Sequence, residues 1–252
     1  MDLQLTGTRV LVTGGSRGIG RAIVSAFLDE GATVAFCARN PDEVRATAES
    51  LSAKGRVAGS VVDVADAGAL AAWVEACAID LGGIDVIVPN VSALAIPDTE
   101  ESWQASLNVD LMHTVRMVRA ALPHLERSEN ASIIAISSVS GRESDFASGP
   151  YGTVKTAIIG YVQGLAMQVA DKGIRANTVS PGNTYFEGGV WSNIEAGDPA
   201  LFATAVGLNP TGQMGTPEQV AAPVVFLAST AASRISGTNL VVDGALTRGV
   251  QL

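Results

Sequence analysis

Short runs of contiguous apolar and β-branched residues recur along the chain, separated by longer stretches with helical spacing of apolar positions. Arg9-Val10-Leu11-Val12-Thr13 is the first run and Thr33-Val34-Ala35-Phe36-Cys37 the second. Val57 to Val62, Asp85 to Val88, Ser132 to Ser137, Arg175 to Ser180 and Leu240 to Val242 complete the set. Runs that are apolar at successive positions predict strands covered on both faces, and helices between them predict a parallel sheet. The helix after the second run has a well-marked start. Asn40 caps it, Pro41 suits its first position, and Asp42 and Glu43 complement its dipole. The pattern predicts one doubly wound α/β domain over residues 1–252. Between about residues 183 and 215 the alternation breaks. Gly and Pro accumulate there beside Tyr185, Phe186, Trp191, Phe202 and Leu208, which predicts an inserted substrate lid with Gly188-Gly189 as a hinge.

Composition then removes several classes of function. The chain has 252 residues, 47% hydrophobic and 16% charged, enough for a full core and too apolar for disorder. Lys+Arg 16 against Asp+Glu 25 gives a net charge of -9, which argues against a nucleic acid or an anionic membrane as partner. No apolar run approaches the roughly 20 residues of a membrane span. Cys37 and Cys77, with no signal-peptide pattern at the start, indicate a reducing, cytoplasmic setting without a disulfide framework. His113 and His124 share one helical stretch and read as core or surface positions. No spacing matches a metal site, and a Ser–His–Asp hydrolase is poorly supported.

The turn after the first strand reads Thr13-Gly14-Gly15-Ser16-Arg17-Gly18-Ile19-Gly20. Strand, glycine turn and helix N-terminus together make a phosphate cradle. Gly14 permits the tight turn, Gly18 lets backbone approach a pyrophosphate, and Gly20 lets helix and strand pack closely. Ser16, Arg17 and Ile19 belong to the same cradle. The second strand ends in Cys37-Ala38-Arg39-Asn40, with no carboxylate to bind ribose hydroxyls. Arg39 and Arg17 instead favour a 2′-phosphate, hence NADP(H) over NAD(H). Asp63, followed by Val64, ends the third strand and either accepts from the adenine amino group or caps the next helix.

Tyr151 and Lys155 lie one turn apart on a helix opened by Gly149-Pro150, and Ser138 ends the fifth strand thirteen residues earlier. Ligands of open α/β sheets bind outside the carboxyl ends of the strands, so these groups form a candidate carbonyl site. Reduction needs a hydride from a nicotinamide and a proton, here from Tyr151. An ammonium about 4 Å away stabilises a phenolate by about 4 kcal/mol at an effective dielectric of about 20, so Lys155 alone can do most of what makes the phenol a workable acid–base group, with help from the positive charge of an oxidised nicotinamide. Ser138 hydrogen-bonds the substrate oxygen as charge develops. Ser92, Leu94, Arg142, Ser144, Phe146, Tyr185, Phe186 and Trp191 are candidate pocket residues. Most are apolar or neutral, which points to a neutral ketone or alcohol.

The chain resembles the short-chain dehydrogenase/reductase family over nearly its whole length. The likeness rests on Thr13 to Gly20, Asn90, Asn108, Ser138, Tyr151, Lys155, Pro181-Gly182 and Val241-Val242-Asp243-Gly244. The resemblance implies a Rossmann fold with a seven-stranded parallel sheet, NAD(P)-dependent oxidoreduction, and a homo-oligomer, tetramer or dimer. It implies a tetrad of Asn108, Ser138, Tyr151 and Lys155, with Asn108 fixing a water that relays protons to Lys155. It also implies cofactor contacts from Asn90, Pro181 and Gly182. The family's Asn-Asn-Ala-Gly is Pro89-Asn90-Val91-Ser92 here, and Phe186 stands where a Thr is usual, leaving Thr184 as the candidate for the nicotinamide carboxamide. The C-terminal segment from Thr247 to Leu252 is a candidate contact with a neighbouring subunit. Alternatives to a carbonyl reductase are an NADP(H)-binding regulatory protein without turnover, a 3-oxoacyl-thioester reductase favoured by a cationic Arg142, and a dehydratase or epimerase.

Overall fold

The computed structural model describes residues 2–249; residues 250–252 of the C-terminal segment lie outside it. Its strands are β1 (Arg9–Thr13), β2 (Thr33–Ala38), β3 (Val57–Val61), β4 (Val86–Val88), β5 (Ser132–Ile136), β6 (Arg175–Pro181) and β7 (Asn239–Val242). Each boundary falls within a residue of the apolar run that predicts it. All pairings are parallel, in the order β3-β2-β1-β4-β5-β6-β7. The chain winds outward from β1 to β3, then returns to start again at β4. The order therefore reverses between β1 and β4, and the carboxyl ends of these strands open a crevice.

Alternation within the strands divides the interior in two. Leu11, Ala35, Ile87 and Ile133 point to one face, which is covered by α3 (Ala67–Leu81), α5 (His113–Leu125) and α6 (Pro150–Val169). Val10, Val12, Val34, Phe36 and Val86 point to the other, which is covered by α1 (Gly18–Asp29), α2 (Pro41–Leu51) and α9 (Pro217–Ala228). Helix α2 starts as its sequence dictates, with the Asn40 side chain accepting from the backbone of Asp42 and Glu43. Asp66, not Asp63, caps α3. Ahead of α5 the chain forms α4 (Glu100–Ala105) and then a π-helical stretch, Ser106–Met112.

The segment 183–215 folds into two short helices, α7 (Val190–Gly197) and α8 (Pro199–Gly207), rather than an irregular loop. Trp191, Ala205 and Met214 form a small core of their own. The two ends of the segment are stitched together: Tyr185 N–H donates to Gly215 O at 2.9 Å and Gly215 N–H to Asn183 O at 2.8 Å.

Both histidines take non-catalytic places. His124 sits at the surface beside Glu75. His113 is fully buried; its Nδ1 faces Val109 O at 3.1 Å, so the proton is on Nδ1, and Nε2 accepts from Thr13 Oγ1 at 3.0 Å. Cys37 and Cys77 are free and buried, and burial pushes both thiols up to about 12. Among the described residues no helix is long and apolar enough to cross a membrane, and no metal-site cluster occurs.

Candidate active site

The glycine turn is held from two sides. Gly14 and Gly15 N–H donate to Cys37 O at the end of β2. Asn90, beyond β4, donates from Nδ2 to Thr13 O at 3.0 Å and from its backbone to Thr13 Oγ1. A Cβ on Gly20 would lie 2.0 Å from Gly14 O, so only glycine lets α1 start this close to β1. No side chain caps α1 and no acidic residue occupies its first turn. Its N-terminal N–H groups therefore have no side-chain acceptor, and the positive dipole end is not offset by a carboxylate of the first turn. An uncapped helix start behind a glycine-rich turn fits an anionic pyrophosphate.

That turn is one end of a cavity of about 910 Å³ at the crevice between β1 and β4. Gly14, Ser16, Arg17, Ile19 and Gly20 line it, with Arg39, Asn40, Asp63 and Val64 at the far side and Asn90, Pro181, Gly182 and Thr184 toward the centre. Gly18 does not reach it, because the Phe186 ring lies over it; a Cβ there would come within 2.5 Å of the ring. Arg17 reaches from the turn to Gly188 O at 3.4 Å. Arg39 is exposed and has no ion-pair partner among the described residues. One carboxylate escaped the strand-end reading: Glu43, half-buried in the first turn of α2, accepts from Ser16 Oγ at 3.0 Å and lines the cavity. It lies a helical turn beyond the strand end, outside the pattern that identifies a ribose-binding acid.

Ser138, Tyr151 and Lys155 line the same cavity. Close packing brings them together. A Cβ on Gly141 would lie 2.8 Å from the backbone carbonyl carbon of Lys155, so the segment following Ser138 rests directly on α6. Thr156 Oγ1 donates to Gly141 O at 2.8 Å and Ser137 Oγ to Lys155 O at 2.8 Å. The Ser138 oxygen accepts from Ser140 N–H at 3.2 Å, leaving its proton free to point at a ligand. Lys155 Nζ sits 5.6 Å from the centre of the Tyr151 ring. It donates to Ile136 O at 3.3 Å and faces Asp110 Oδ1 at 3.2 Å. The side chains of Lys155 and Asp110 are 2% and 1% exposed.

Asn108 does not join this group. Its Nδ2 reaches Ala65 O at 3.4 Å and its Oδ1 accepts from Arg116 at 2.7 Å. It is absent from the cavity wall. The inward-facing positions of this helical region are Ser106, Asp110, His113, Thr114 and Met117, a buried stripe spaced three to four residues apart. Asn108 falls off that stripe, and Asp110, on it, meets Lys155. The stripe itself is the sequence signal that finds Asp110.

The altered turn after β4 is part of the wall. Val91, Ser92 and Leu94 line the cavity. Leu94 adopts φ 50°, a conformation costly for a branched side chain, with its N–H donating to Ser92 Oγ at 3.1 Å. Phe146, Phe186 and Trp191 also face inward, Phe146 and Trp191 in edge contact at 5.8 Å. Arg142, Ser144 and Tyr185 do not line the cavity. Tyr185 donates to Glu195 at 2.6 Å within the inserted segment. Glu143 replaces Arg142 at the rim, accepting from the backbone N–H groups of Arg248 and Gly249. Thr184 Oγ1 donates to Gly182 O at 3.0 Å.

The family model described as enoyl-(acyl carrier protein) reductase matches residues 14–247. An isoepoxydon dehydrogenase of Penicillium expansum is 42% identical over 255 residues, spanning 98% of this chain and 97% of that protein. A 3-oxoacyl-[acyl-carrier-protein] reductase of Chlamydia pneumoniae is 33% identical, spanning 98% of this chain and 100% of its own. Among solved structures, an NADPH-bound short chain oxidoreductase of Pseudomonas aeruginosa, described as containing an atypical catalytic center, superposes with a TM-score of 0.89. It is 31% identical, covering 97% of this chain and 99% of that one. L-Sorbose reductase from Gluconobacter frateurii, complexed with NADPH and L-sorbose, gives a TM-score of 0.91 at 27% identity, covering 99% of this chain and 100% of that one. With the glycine turn, the Tyr–Lys helix and the parallel sheet all in place, the chain belongs to the short-chain dehydrogenase/reductase family of oxidoreductases.

Proposed function

We propose that this protein interconverts a ketone and a secondary alcohol with NADP(H). The observation that carries this reading is the convergence of Ser138, Tyr151 and Lys155 with the uncapped glycine turn on one cavity. When bound, the nicotinamide donates or accepts the hydride. In the reducing direction Ser138 donates a hydrogen bond to the substrate oxygen as it gains negative charge. Tyr151 transfers its hydroxyl proton to that oxygen, and the Lys155 ammonium stabilises the phenolate left behind. In the oxidising direction the Tyr151 phenolate takes the alcohol proton back.

The start of α1 holds the pyrophosphate, Asp63 and Val64 the adenine, and Lys155 the nicotinamide ribose. Pro181, Gly182 and Thr184 flank the nicotinamide. Arg17 and Arg39 supply the positive charge for a 2′-phosphate, partly offset by Glu43. NADPH in both solved relatives described above supports this choice. The segment 183–215 acts as the substrate lid. Phe146, Trp191 and Leu94 suit a neutral substrate with an apolar body. Arg142, the cation that favoured an acyl-carrier thioester, lies outside the cavity, whose wall holds Arg248 beside Glu143 instead. The free, buried thiols support a cytoplasmic setting, and the exposed Met167 on α6 supports a homo-oligomer, tetramer or dimer.

A panel of ketones and alcohols, read by the absorbance of the reduced nicotinamide, tests the reaction. Tyr151→Phe is expected to lose activity by several orders of magnitude while binding NADPH within about twofold of the wild type. Retention of more than about a tenth of the activity would overturn the assignment.

A further inference from the structure

We infer that Asp110 is a positioning residue that clamps Lys155 from behind and, as a carboxylate, tempers the positive charge that Tyr151 feels. The inference rests on the proposed role of the Tyr151–Lys155 pair. Its basis is the geometry around Asp110.

Three observations carry it. First, Asp110 Oδ1 lies 3.2 Å from Lys155 Nζ with both side chains removed from water. Among the described residues Oδ1 accepts no hydrogen bond, so the contact is one of charge with charge. Second, Asp110 Oδ2 accepts from Ala93 N–H at 2.9 Å. One carboxylate thus joins Lys155 to the turn after β4, where this chain departs from its family's pattern and where Leu94 is strained. Third, Asp110 stands in a π-helical stretch, Ser106–Met112. Such stretches interrupt ordinary helix bonding and occur often at functional sites. Here the stretch lies beside α6, at the depth of Lys155.

A neutral amide at this place would steady the ammonium without cancelling its charge; a carboxylate does both. The other titratable or charged groups facing the pair are Tyr151 on α6 and His113 and Arg116 on α5. Burial pushes His113 down to about 4, so it is neutral near pH 7. Arg116 turns its guanidinium to Asn108 Oδ1 and Ala65 O. Tyr151 is left as the group that senses how much of the Lys155 charge Asp110 offsets.

The test uses Asp110→Asn, which keeps the shape and removes the charge. With NADP+ bound, the ultraviolet absorbance of tyrosinate is followed against pH, and the same titration of a Tyr151→Phe background is subtracted, because the chain has three tyrosines. The half-developed signal is expected about one pH unit lower in Asp110→Asn, a tenfold change. The pH of half-maximal alcohol oxidation should move with it. A merely structural role for Asp110 would move neither. An unmoved or raised midpoint in a variant that unfolds cooperatively overturns the inference. Asp110→Ser, read in the same way, covers the case in which the Asn variant does not fold; if neither folds, the pair is structural and the inference fails. A shifted tyrosinate signal without turnover on any ketone or alcohol would support the clamp while counting against the proposed reaction.

Discussion

Replacing Lys155 with Met removes the cationic half of a buried ion pair and leaves Asp110 facing hydrocarbon. At 3.2 Å the two charges attract by about 5 kcal/mol at an effective dielectric of about 20. Desolvation of both groups consumes much of that gain, so the intact pair adds little net stability. Breaking it from one side is another matter, because the remaining carboxylate keeps its desolvation penalty without its partner. The expected loss for Lys155→Met is about 3–5 kcal/mol. In a chain of this length that lowers the thermal midpoint by about 10 °C. Removing the second charge in Lys155→Met/Asp110→Asn should restore at least about 2 kcal/mol. Urea unfolding of wild type, both single variants and the double variant, followed by circular dichroism, gives the coupling directly. If Lys155→Met lies within about 1 kcal/mol of wild type, or the double variant is no more stable than Lys155→Met alone, the two side chains do not depend on each other and the account of the site's interior is wrong.

Arg39→Ala should weaken NADPH binding by about tenfold and leave NADH within about twofold, as measured by fluorescence titration of each nucleotide; equal weakening of both would show that Arg39 does not meet the 2′-phosphate. His113 gives a pH prediction with a definite sign. Burial holds its folded form down to about 4, whereas the unfolded chain titrates near 6.5. Below about pH 6.5 the unfolded state takes up a proton that the folded state refuses, so stability falls with pH, by about 3 kcal/mol at pH 4. Urea midpoints between pH 7 and pH 4 should slope less steeply in His113→Gln, and an unchanged slope would remove His113 from the acid response.

The fold was legible because most of its central strands are short apolar runs, β5 from Ser132 to Ile136 being buried at every position. The start of α2 was equally plain, since Asn40 and Pro41 act on their immediate neighbours. Ser138, Tyr151 and Lys155 were legible for a similar reason: a strand end and one helical turn fix their relation. What sequence concealed was helical phase. Motif matching selected Asn108 by residue type, but a polar residue inside a helix is assigned by the face it shares, and the π-helical stretch further displaces a regular count. Glu43 was hidden because its contact with Ser16 crosses from α2 to the glycine turn. Glu143 lines the cavity where Arg142 was expected, because neighbouring residues in a loop point apart and no periodicity records which one turns inward.

The paired ends of the segment 183–215 have a further consequence. Because Asn183, Tyr185 and Gly215 close the excursion with their own backbones, and Trp191, Ala205 and Met214 pack with one another, α7 and α8 can be rewritten without disturbing the strands beneath, so long as Thr184, Phe186 and Gly188 keep their contacts with the cavity and the glycine turn. Such an arrangement is a detachable cassette. Natural variation, or a designer exchanging α7 and α8 between relatives, can alter the part of the cavity wall that Val190 and Trp191 form while Ser138, Tyr151 and Lys155 keep their places.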